Sequence, residues 1–430
     1  MLSSKIAQNT WPEVRRKGTC ATLLSKRMPP LAYPVYSHFL CQPSLSIAYV
    51  RKASTTSQRP KRDESTASKQ ESDPPSVVVP VASANAFICR CLEKVGADPK
   101  HAKQMADVLI MGDTRGHFSH GLNRLDMYVN DLKGGRCRSK GEPKIVKEGA
   151  STALVDGQNL LGGVVGKFAM DTAIRKAKES GVGWVSAYGS NHYGIAGYYG
   201  LQAVAQGLIG ISVTNTSPLC VPTRAKQNTL GTNPICFAAP GRNGDSFVLD
   251  MATTTVAIGK VELAMRKCQN IPEVWGVDKT GKPSTDPKKV YEEGGLLPLG
   301  GSEETGGYKG YGLNMMVEIL CGILADAAFG PHVRSWNKPE GEARLGQGFI
   351  AVDPSHFAEG FQDRLQSFID IMRHLPASDL FKPVLAPGDP ERVHVAKCEK
   401  LGGIPYHQNQ FDHAKELAQN LGVAPMEAKG

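Results

Sequence analysis

Residues 151–188 read STALVDGQNLLGGVVGKFAMDTAIRKAKESGVGWVSAY. Two short β-rich runs, STALVDG and GVGWVSAY, enclose a segment in which apolar residues recur three and four positions apart. That spacing predicts a helix over about 164–179, and Gly181 suits the left-handed residue that ends many helices. The order of strand, helix and strand predicts an α/β protein.

Similar patterns extend on both sides of this stretch. Three more β-rich runs follow it, separated by Gly-rich turns: LIGISVTN, NPICFAAP and SFVLDMA. Helical spacing recurs over 86–97, 101–114, 121–132, 311–327, 361–373 and 410–421. The segment 311–327 is apolar on most faces, which predicts a buried helix.

One motif is missing from this α/β pattern. The sequence contains no GxGxxG, the turn that places a pyrophosphate at a helix N-terminus in the Rossmann fold, and GGYKGYG (306–312) has the wrong spacing. A dinucleotide that binds here therefore has to bind on another scaffold.

The formal net charge of +9 belongs to the first part of the chain. Residues 1–62 carry eleven Lys and Arg but one acidic residue, which leaves 39 basic and 40 acidic residues in 63–430. A neutral body argues against a nucleic-acid partner, and no apolar run is long enough to cross a membrane.

The basic, Ser-rich leader is typical of mitochondrial import, with a cytoplasmic location as the alternative. Residues 53–77 predict a disordered linker.

Metal chemistry finds no support in the sequence. The ten cysteines form no CxxC pair, so we expect reduced and mostly buried thiols. His117 and His120 lie close together, but neither an HExxH motif nor a cluster of carboxylates accompanies them. We therefore predict that the site holds no metal.

The clearest candidate for catalysis is the segment 115–124, RGHFSHGLNR, at a break between two helical stretches. His120 titrates near neutral pH and can exchange a proton with a carbonyl oxygen as hydride moves. Arg124, four residues later on the same helical face, can grip an adjacent carboxylate with two hydrogen bonds. Ser119 can orient the imidazole. This combination suits the interconversion of a 2-hydroxy acid and a 2-oxo acid.

Other polar residues leave two interpretations open. His192, in the Gly-rich segment SNHYG, is either a structural histidine or a residue that faces the cofactor, so it stays outside the catalytic set. Asn215 and Asn233 each follow a threonine, and each either binds substrate or nicotinamide or forms a turn.

The string RGHFSHGLNRLDMY (115–128) resembles the signature of the type-2 malate/L-lactate dehydrogenase family, whose members are NAD(P)-dependent and lack the Rossmann fold. The resemblance covers about Val78 to Tyr406 and recurs in order in SNHYGIAGYYG, TNTSPLCVPT, LGTNPICFAAPG, FVLDMATTTVAIGKVE, LLPLGG, GGYKGYGL and APGDPE. Together, eight ordered segments are far more specific than any one alone.

This resemblance implies roles for individual residues. It makes His120 the proton donor and acceptor, pairs Ser119 with it, and adds Asp250 to the same relay. Substrate contacts are implied for Arg124 and Thr232. Cofactor contacts with NAD or NADP are implied in three segments: Phe247, Val248, Leu249, Asp250, Met251, Ala252 and Thr253; Tyr308 and Lys309; Gly388, Asp389 and Pro390. Asp250 fixes a histidine tautomer or holds a ribose hydroxyl, unless it only caps the following turn.

The resemblance also implies the architecture and the reaction. We expect a mixed sheet, a helical part built from both chain ends, and a homodimer. The divisions are a leader and linker (1–77), a helical part (78–147), an α/β part for cofactor and substrate (148–380), and a returning segment (381–430). Malate and oxaloacetate are the favoured couple; L-lactate or another 2-oxo acid, and a cyclic ketimine, are the alternatives.

Overall fold

The computed structural model describes residues 76–335, 340–379 and 381–429. The leader, and the linker as far as residue 75, lie outside these ranges. The strands are β1 Ser76–Val79, β2 Lys144–Glu148, β3 Thr152–Asp156, β4 Val182–Ser190, β5 Ile209–Thr214, β6 Ile235–Pro240, β7 Ser246–Met251, β8 Gly276–Val277, β9 Gly295–Leu296, β10 Leu345–Val352 and β11 Ile404–His407. The α-helices are α1 Val81–Lys94, α2 Pro99–Thr114, α3 Leu125–Lys133, α4 Gly162–Ser180, α5 Gly197–Val204, α6 Ile258–Arg266, α7 Gly307–Val317, α8 Phe361–Arg373, α9 Asp389–Leu401 and α10 Gln408–Leu421.

The stretch 151–188 forms β3, α4 and β4, as its pattern predicts. Helix α4 ends at Gly181, whose φ of +84° is the left-handed conformation that glycine adopts without a steric cost. The alanines Ala169, Ala173 and Ala177 are fully buried, so this helix lies close against the sheet. Because β3 and β4 run parallel, α4 is the crossover that their connection requires.

Seven strands form one mixed sheet in the order β2-β3-β4-β10-β5-β6-β7. All five predicted β-rich runs are strands of this sheet, and β3–β4 is its parallel pair. β10, which the sequence pattern did not reveal, lies between β4 and β5. A Cβ at Gly346 would lie 2.2 Å from the Cys321 carbonyl oxygen, whereas the Phe349 ring packs on the opposite face at 5.3 Å from the Tyr199 ring. Glycine therefore lets a helical segment approach this strand closely.

The helical part is built from both chain ends, as predicted. β1 pairs antiparallel with β11, and α10 packs on α1. Phe87, Leu109, Tyr406 and Phe411 from these segments are buried in one hydrophobic core. β2 spans the predicted boundary between residues 147 and 148, so the sheet begins slightly earlier than the sequence indicated.

The segment 311–327 differs from the prediction of a buried helix. It forms most of α7 and a following π-helical turn, Glu318–Ile323. Its inward side carries the polar residues Asn314 and Glu318, whose side-chain oxygens accept hydrogen bonds from Asn233 Nδ2 at 2.7 and 2.9 Å. The apolar side chains on its outward side are exposed: Met315, Met316, Ile319, Ile323 and Leu324. The prediction is wrong for this face, because the hydrogen bonds to Asn233 determine which side points inward.

Within the described ranges, no three His, Cys, Asp or Glu side chains are grouped so that they could hold a metal ion. No helix of these same ranges has the length and apolar character needed to cross a bilayer. The eight cysteines that the structure describes are free, and six of them are buried.

Candidate active site

A cleft of about 600 Å³ lies between the 116–124 segment, the start of α6 and the end of β7. Seven of the residues singled out in the sequence line this cleft: Ser119, His120, Arg124, Thr232, Asp250, Met251 and Ala252. The fold thus gathers the proposed acid/base, the substrate-binding residues and part of the first cofactor segment at one place.

His120 and Arg124 belong to two separate single-turn 3₁₀ helices, Phe118–His120 and Leu122–Arg124. The prediction that they share one helical face is therefore wrong. Gly121 breaks the helix between them with φ −99° and ψ −133°. Even so, Arg124 Nε donates a hydrogen bond of 2.7 Å to the Ser119 carbonyl oxygen, so the two turns are held together.

A buried carboxyl group of α2, which sequence reasoning missed, holds this segment. Asp113 Oδ2 accepts hydrogen bonds from the Leu122 N–H (2.9 Å) and from Tyr406 Oη (2.8 Å). A Cβ at position 121 would lie 1.8 Å from Asp113 Oδ1, so Gly121 is required for this approach. Burial raises the Asp113 pKa to about 7. An acidic residue at the end of the apolar face MADVLIMGD was the signal that could have indicated it.

The environment of His120 favours its neutral form. Burial, Arg124 and His117 lower its pKa to about 3. Its Nδ1 lies 2.9 Å from Ser119 Oγ, the contact that Ser119 was expected to make. At neutral pH the ring is therefore an uncharged proton acceptor with one nitrogen engaged by a hydroxyl.

His192 also lines the cleft, but this position alone does not decide between a structural role and a contact with the cofactor. Its ring stacks on that of His120 with centroids 5.9 Å apart. Its Nδ1 accepts hydrogen bonds from Tyr128 Oη (2.6 Å) and from the Gly194 N–H (3.3 Å), so its proton sits on Nε2. Burial holds the pKa of His192 well below its usual value. The ring therefore forms an uncharged wall beside His120.

Asp250, at the end of β7, makes a different contact from the relay implied by the resemblance. Its Oδ2 accepts a hydrogen bond of 2.7 Å from the Gly197 N–H at the start of α5. Among the described residues, no hydrogen bond joins Asp250 directly to Ser119 or His120. Burial raises the pKa of Asp250, opposed by His117 and by the Gly197 N–H. It faces the same cleft but connects it to α5.

Several other predicted residues lie outside the lining of this cleft. Phe247, Val248 and Leu249 lie within β7, and Thr253 donates from its buried hydroxyl to backbone carbonyls. Tyr308 and Lys309 lie in the first turn of α7, and the Tyr308 side chain is half exposed. Asn215 and Asn233 are buried and bond Glu318.

In the third predicted cofactor segment, Asp389 forms ion pairs within the protein. Gly388, with φ +100°, precedes α9, and Pro390 lies in its first turn. The Asp389 carboxylate accepts hydrogen bonds from Arg373 at 2.6 and 3.0 Å and from Arg392 at 2.5 Å. The structure therefore gives Asp389 protein partners, and its side chain is not among those that line the cleft.

The cleft has the features that a nucleotide cofactor requires. Ala257, Ile258, Gly259 and Lys260 line it at the N-terminus of α6, where backbone N–H groups and the Lys260 ammonium can meet phosphate oxygens. A Cβ at Gly259 would lie 3.5 Å from the Ser119 Cβ, so this helix end adjoins the catalytic segment.

The chain is similar to known dehydrogenases over most of its length. A family model described as malate/L-lactate dehydrogenase matches residues 79–415. The malate dehydrogenase of Pyrococcus abyssi is 41% identical over 354 residues, 82% of this chain and 97% of that protein. The L-sulfolactate dehydrogenase of Methanocaldococcus jannaschii is 41% identical over 78% of this chain and 95% of that protein. The solved malate dehydrogenase of Pyrococcus horikoshii OT3 has a TM-score of 0.75 and 38% identity, covering 81% and 97% of the two chains.

These similarities define a dehydrogenase that acts on the CH–OH group of hydroxy acids. The chain belongs to the malate/L-lactate dehydrogenase family. Its cofactor is NAD or NADP: relatives include a ureidoglycolate dehydrogenase (NAD⁺) of Escherichia coli, 34% identical, and a (2R)-3-sulfolactate dehydrogenase (NADP⁺) of Chromohalobacter salexigens, 33% identical. The predicted family, fold and class of enzyme are confirmed.

Proposed function

We propose that the protein interconverts malate and oxaloacetate, with His120 as the group that exchanges the proton. The observation that carries this proposal is the position of His120, which lines the cleft next to Arg124 with one ring nitrogen engaged by Ser119. The malate dehydrogenases among the relatives support the choice of substrate.

When bound, the nicotinamide supplies or accepts the hydride at C2 of the acid. In oxidation, neutral His120 takes the hydroxyl proton on Nε2 while Nδ1–H donates to Ser119 Oγ. In reduction the imidazolium returns that proton, and its lowered pKa makes it a stronger acid than an ordinary imidazolium. Arg124 binds the C1 carboxylate and holds C2 in register with the ring. His192 closes one side of the site and excludes water from it.

The cofactor would be held along one wall of the cleft. Asp250, Met251 and Ala252 line this wall, and Gly259 and Lys260 at the start of α6 offer donors to phosphate. The contacts expected from Tyr308, Lys309 and Gly388–Pro390 stay predictions.

We also propose that two copies associate through the outward face of α7 and its π-helical extension. The exposed side chains of Met315, Met316, Ile319, Ile323 and Leu324 form an apolar surface of the kind that marks a protein interface. Analytical ultracentrifugation of the wild type and of Ile319→Lys tests this association, and we expect the substitution to shift the protein toward the monomer.

The mitochondrial location stays a prediction, and N-terminal sequencing of the native protein tests it.

A panel of substrates and cofactors tests the proposed reaction. Purified protein is assayed with NADH and with NADPH against oxaloacetate, pyruvate and a cyclic ketimine, following the loss of reduced nicotinamide. We expect the largest kcat/KM with oxaloacetate. A larger value with the ketimine would make the protein an imino-acid reductase, and one with pyruvate a lactate dehydrogenase.

A further inference from the structure

Arg334 brings a second guanidinium into the cleft, and the reaction proposed above gives it no role. It lines the same cleft as His120 and Arg124, with 11% of its side chain exposed. The Ser217 hydroxyl donates a hydrogen bond of 2.8 Å to its carbonyl oxygen, which fixes the backbone at this point. The side chain is thus held inside the cleft rather than spread over the surface.

The hydrogen bonds of Arg334 leave one edge of its guanidinium unused. Nη1 and Nη2 lie 3.3 and 2.9 Å from the two carboxylate oxygens of Asp131, and Nη1 also donates to the Gly341 carbonyl oxygen at 3.2 Å. Nε is buried and has no hydrogen-bond partner among the described residues. Nε–H and the second Nη2–H therefore form a two-donor edge, the geometry that matches a carboxylate or sulfonate.

The partner of Arg334 fixes its place relative to Arg124. Asp131 lies on α3, seven residues after Arg124, which precedes the first residue of that helix. Seven residues are two helical turns, so Arg124 and Asp131 lie on one face at about 10 Å along the axis. Arg334 is held by Asp131, which places the two guanidiniums at separate points along one wall of the cleft.

The charges around Arg334 favour an anionic ligand. Asp131 is shared with Arg136, whose Nε lies 2.8 Å from Oδ1, so the group of three carries a net positive charge. A charged donor that is buried without an acceptor is costly, and a bound anion removes that cost.

We propose that Arg334 binds the second anionic group of the substrate, attached to C3, while Arg124 binds the C1 carboxylate. This inference rests on the proposed function and narrows it: the substrates are 2-hydroxy acids with a second carboxylate or sulfonate. Asp131 is the positioning residue that presents the Nε edge. Pyruvate, which has no such group, gains nothing from this contact.

The test compares oxaloacetate with pyruvate in Arg334→Met and in the wild type. Loss of a desolvated charge pair should lower the ratio of kcat/KM for oxaloacetate to that for pyruvate about 100-fold, mainly through the KM for oxaloacetate. Arg334→Lys keeps the charge but not the two-donor edge, so the ratio should be intermediate. The control Arg138→Met removes the same charge from an exposed position and should leave the ratio within about twofold.

The outcomes separate this inference from the proposed function. If the wild type reduces none of the 2-oxo acids, the proposed function fails whatever Arg334 does. If the wild type reduces oxaloacetate but Arg334→Met lowers both substrates equally, or raises the KM for NADPH or NADH alone, Arg334 does not bind the second anion. Circular dichroism verifies that each variant is folded. If Arg334→Met is unfolded, the ratio of kcat/KM for oxaloacetate to that for pyruvate in Arg334→Lys decides whether Arg334 binds the second anion.

Discussion

Two regions of the molecule hold their segments in place with carboxyl groups, and they do so in opposite ways. Asp113 is fully buried, has no cation beside it, and binds the Leu122 N–H and Tyr406 Oη. The side chains of Asp245 and Asp389 keep 19% and 12% exposure, and both bind the guanidinium of Arg373. Burial raises the Asp113 pKa to about 7. Burial is also the largest single effect at Asp389, but Arg373, Arg392 and the Ala386 N–H together outweigh it and lower the Asp389 pKa to about 2.

The two regions therefore contribute differently to the protein. The Asp113 contact fixes the segment that carries His120, so changes there should reach the chemistry. The Arg373 cluster joins α8 and α9 to the start of β7 and lies outside the cleft, so changes there should affect stability alone. Four predictions test this division.

The largest effect is expected for His120→Ala. Removing the group that exchanges the proton should lower kcat about 1,000-fold, with the Kd for the cofactor nearly unchanged. Steady-state kinetics and fluorescence titration of the reduced nicotinamide measure the two quantities. His374→Ala, an exposed histidine at the end of α8, is the matched control. Wild-type turnover in His120→Ala would show that His120 does not exchange the proton.

Asp113→Ala should reduce both stability and activity. The Leu122 N–H and Tyr406 Oη would lose their acceptor in a buried place, which costs about 2–4 kcal/mol. We expect kcat to fall about tenfold because Gly121 no longer packs against a carboxyl group. Denaturant unfolding and kinetics measure these changes, and Asp113→Asn, which keeps an acceptor oxygen, should lose less of both. Unfolding at lower denaturant with unchanged kcat would show that the contact is only structural.

The sequence predicted those parts of the fold that depend on local pattern. Five β-rich runs and the helices α4 and α8 formed where the spacing placed them. β10 was missed because Gly346 and Gly348 interrupt its apolar pattern, and those glycines are there for close approach to the π-helical turn. α7 was placed correctly and buries Val317, but the prediction missed that Met315 and Met316 are exposed, because the orientation of the helix also depends on hydrogen bonds to Asn233 from a distant part of the chain.

From the residue pattern alone, the site was predictable only where its residues are neighbours in sequence, whereas Thr232 and Asp250 were expected there from the family resemblance. Ser119, His120 and Arg124 lie within six positions, so their chemistry was visible as a motif. Asp113 acts together with Tyr406, 293 positions away, and no local pattern links the two. Arg334 likewise reaches the cleft through a distant partner on α3. The sequence around Arg334 contains no pattern that predicts its contact with Asp131.

Arg373→Met should lower stability and leave the chemistry unchanged. It removes the cation between Asp245 and Asp389, and because these groups are partly exposed the loss is about 1–2 kcal/mol. The control Arg364→Met lies on the same helix and loses only contacts to backbone carbonyls, so it should change stability by less than about 0.5 kcal/mol. A raised KM for the cofactor at unchanged stability would contradict this division and support the predicted cofactor role of Asp389.

The smallest effect is the dependence of stability on pH, and its sign differs between the two regions. The Asp113 pKa rises from 3.8 to about 7 on folding, so the folded state binds more protons and the free energy of unfolding falls as pH rises between these values. We expect a slope of about −1 kcal/mol per pH unit in the wild type relative to Asp113→Asn between about pH 5 and 7. Asp389, at about 2 when folded, stabilises above 3.8 and loses that contribution as pH falls toward 2. Urea unfolding of both proteins across this range measures the difference. Parallel profiles would mean that Asp113 is ionised when folded, so that ionised carboxylates would hold the segments in both regions.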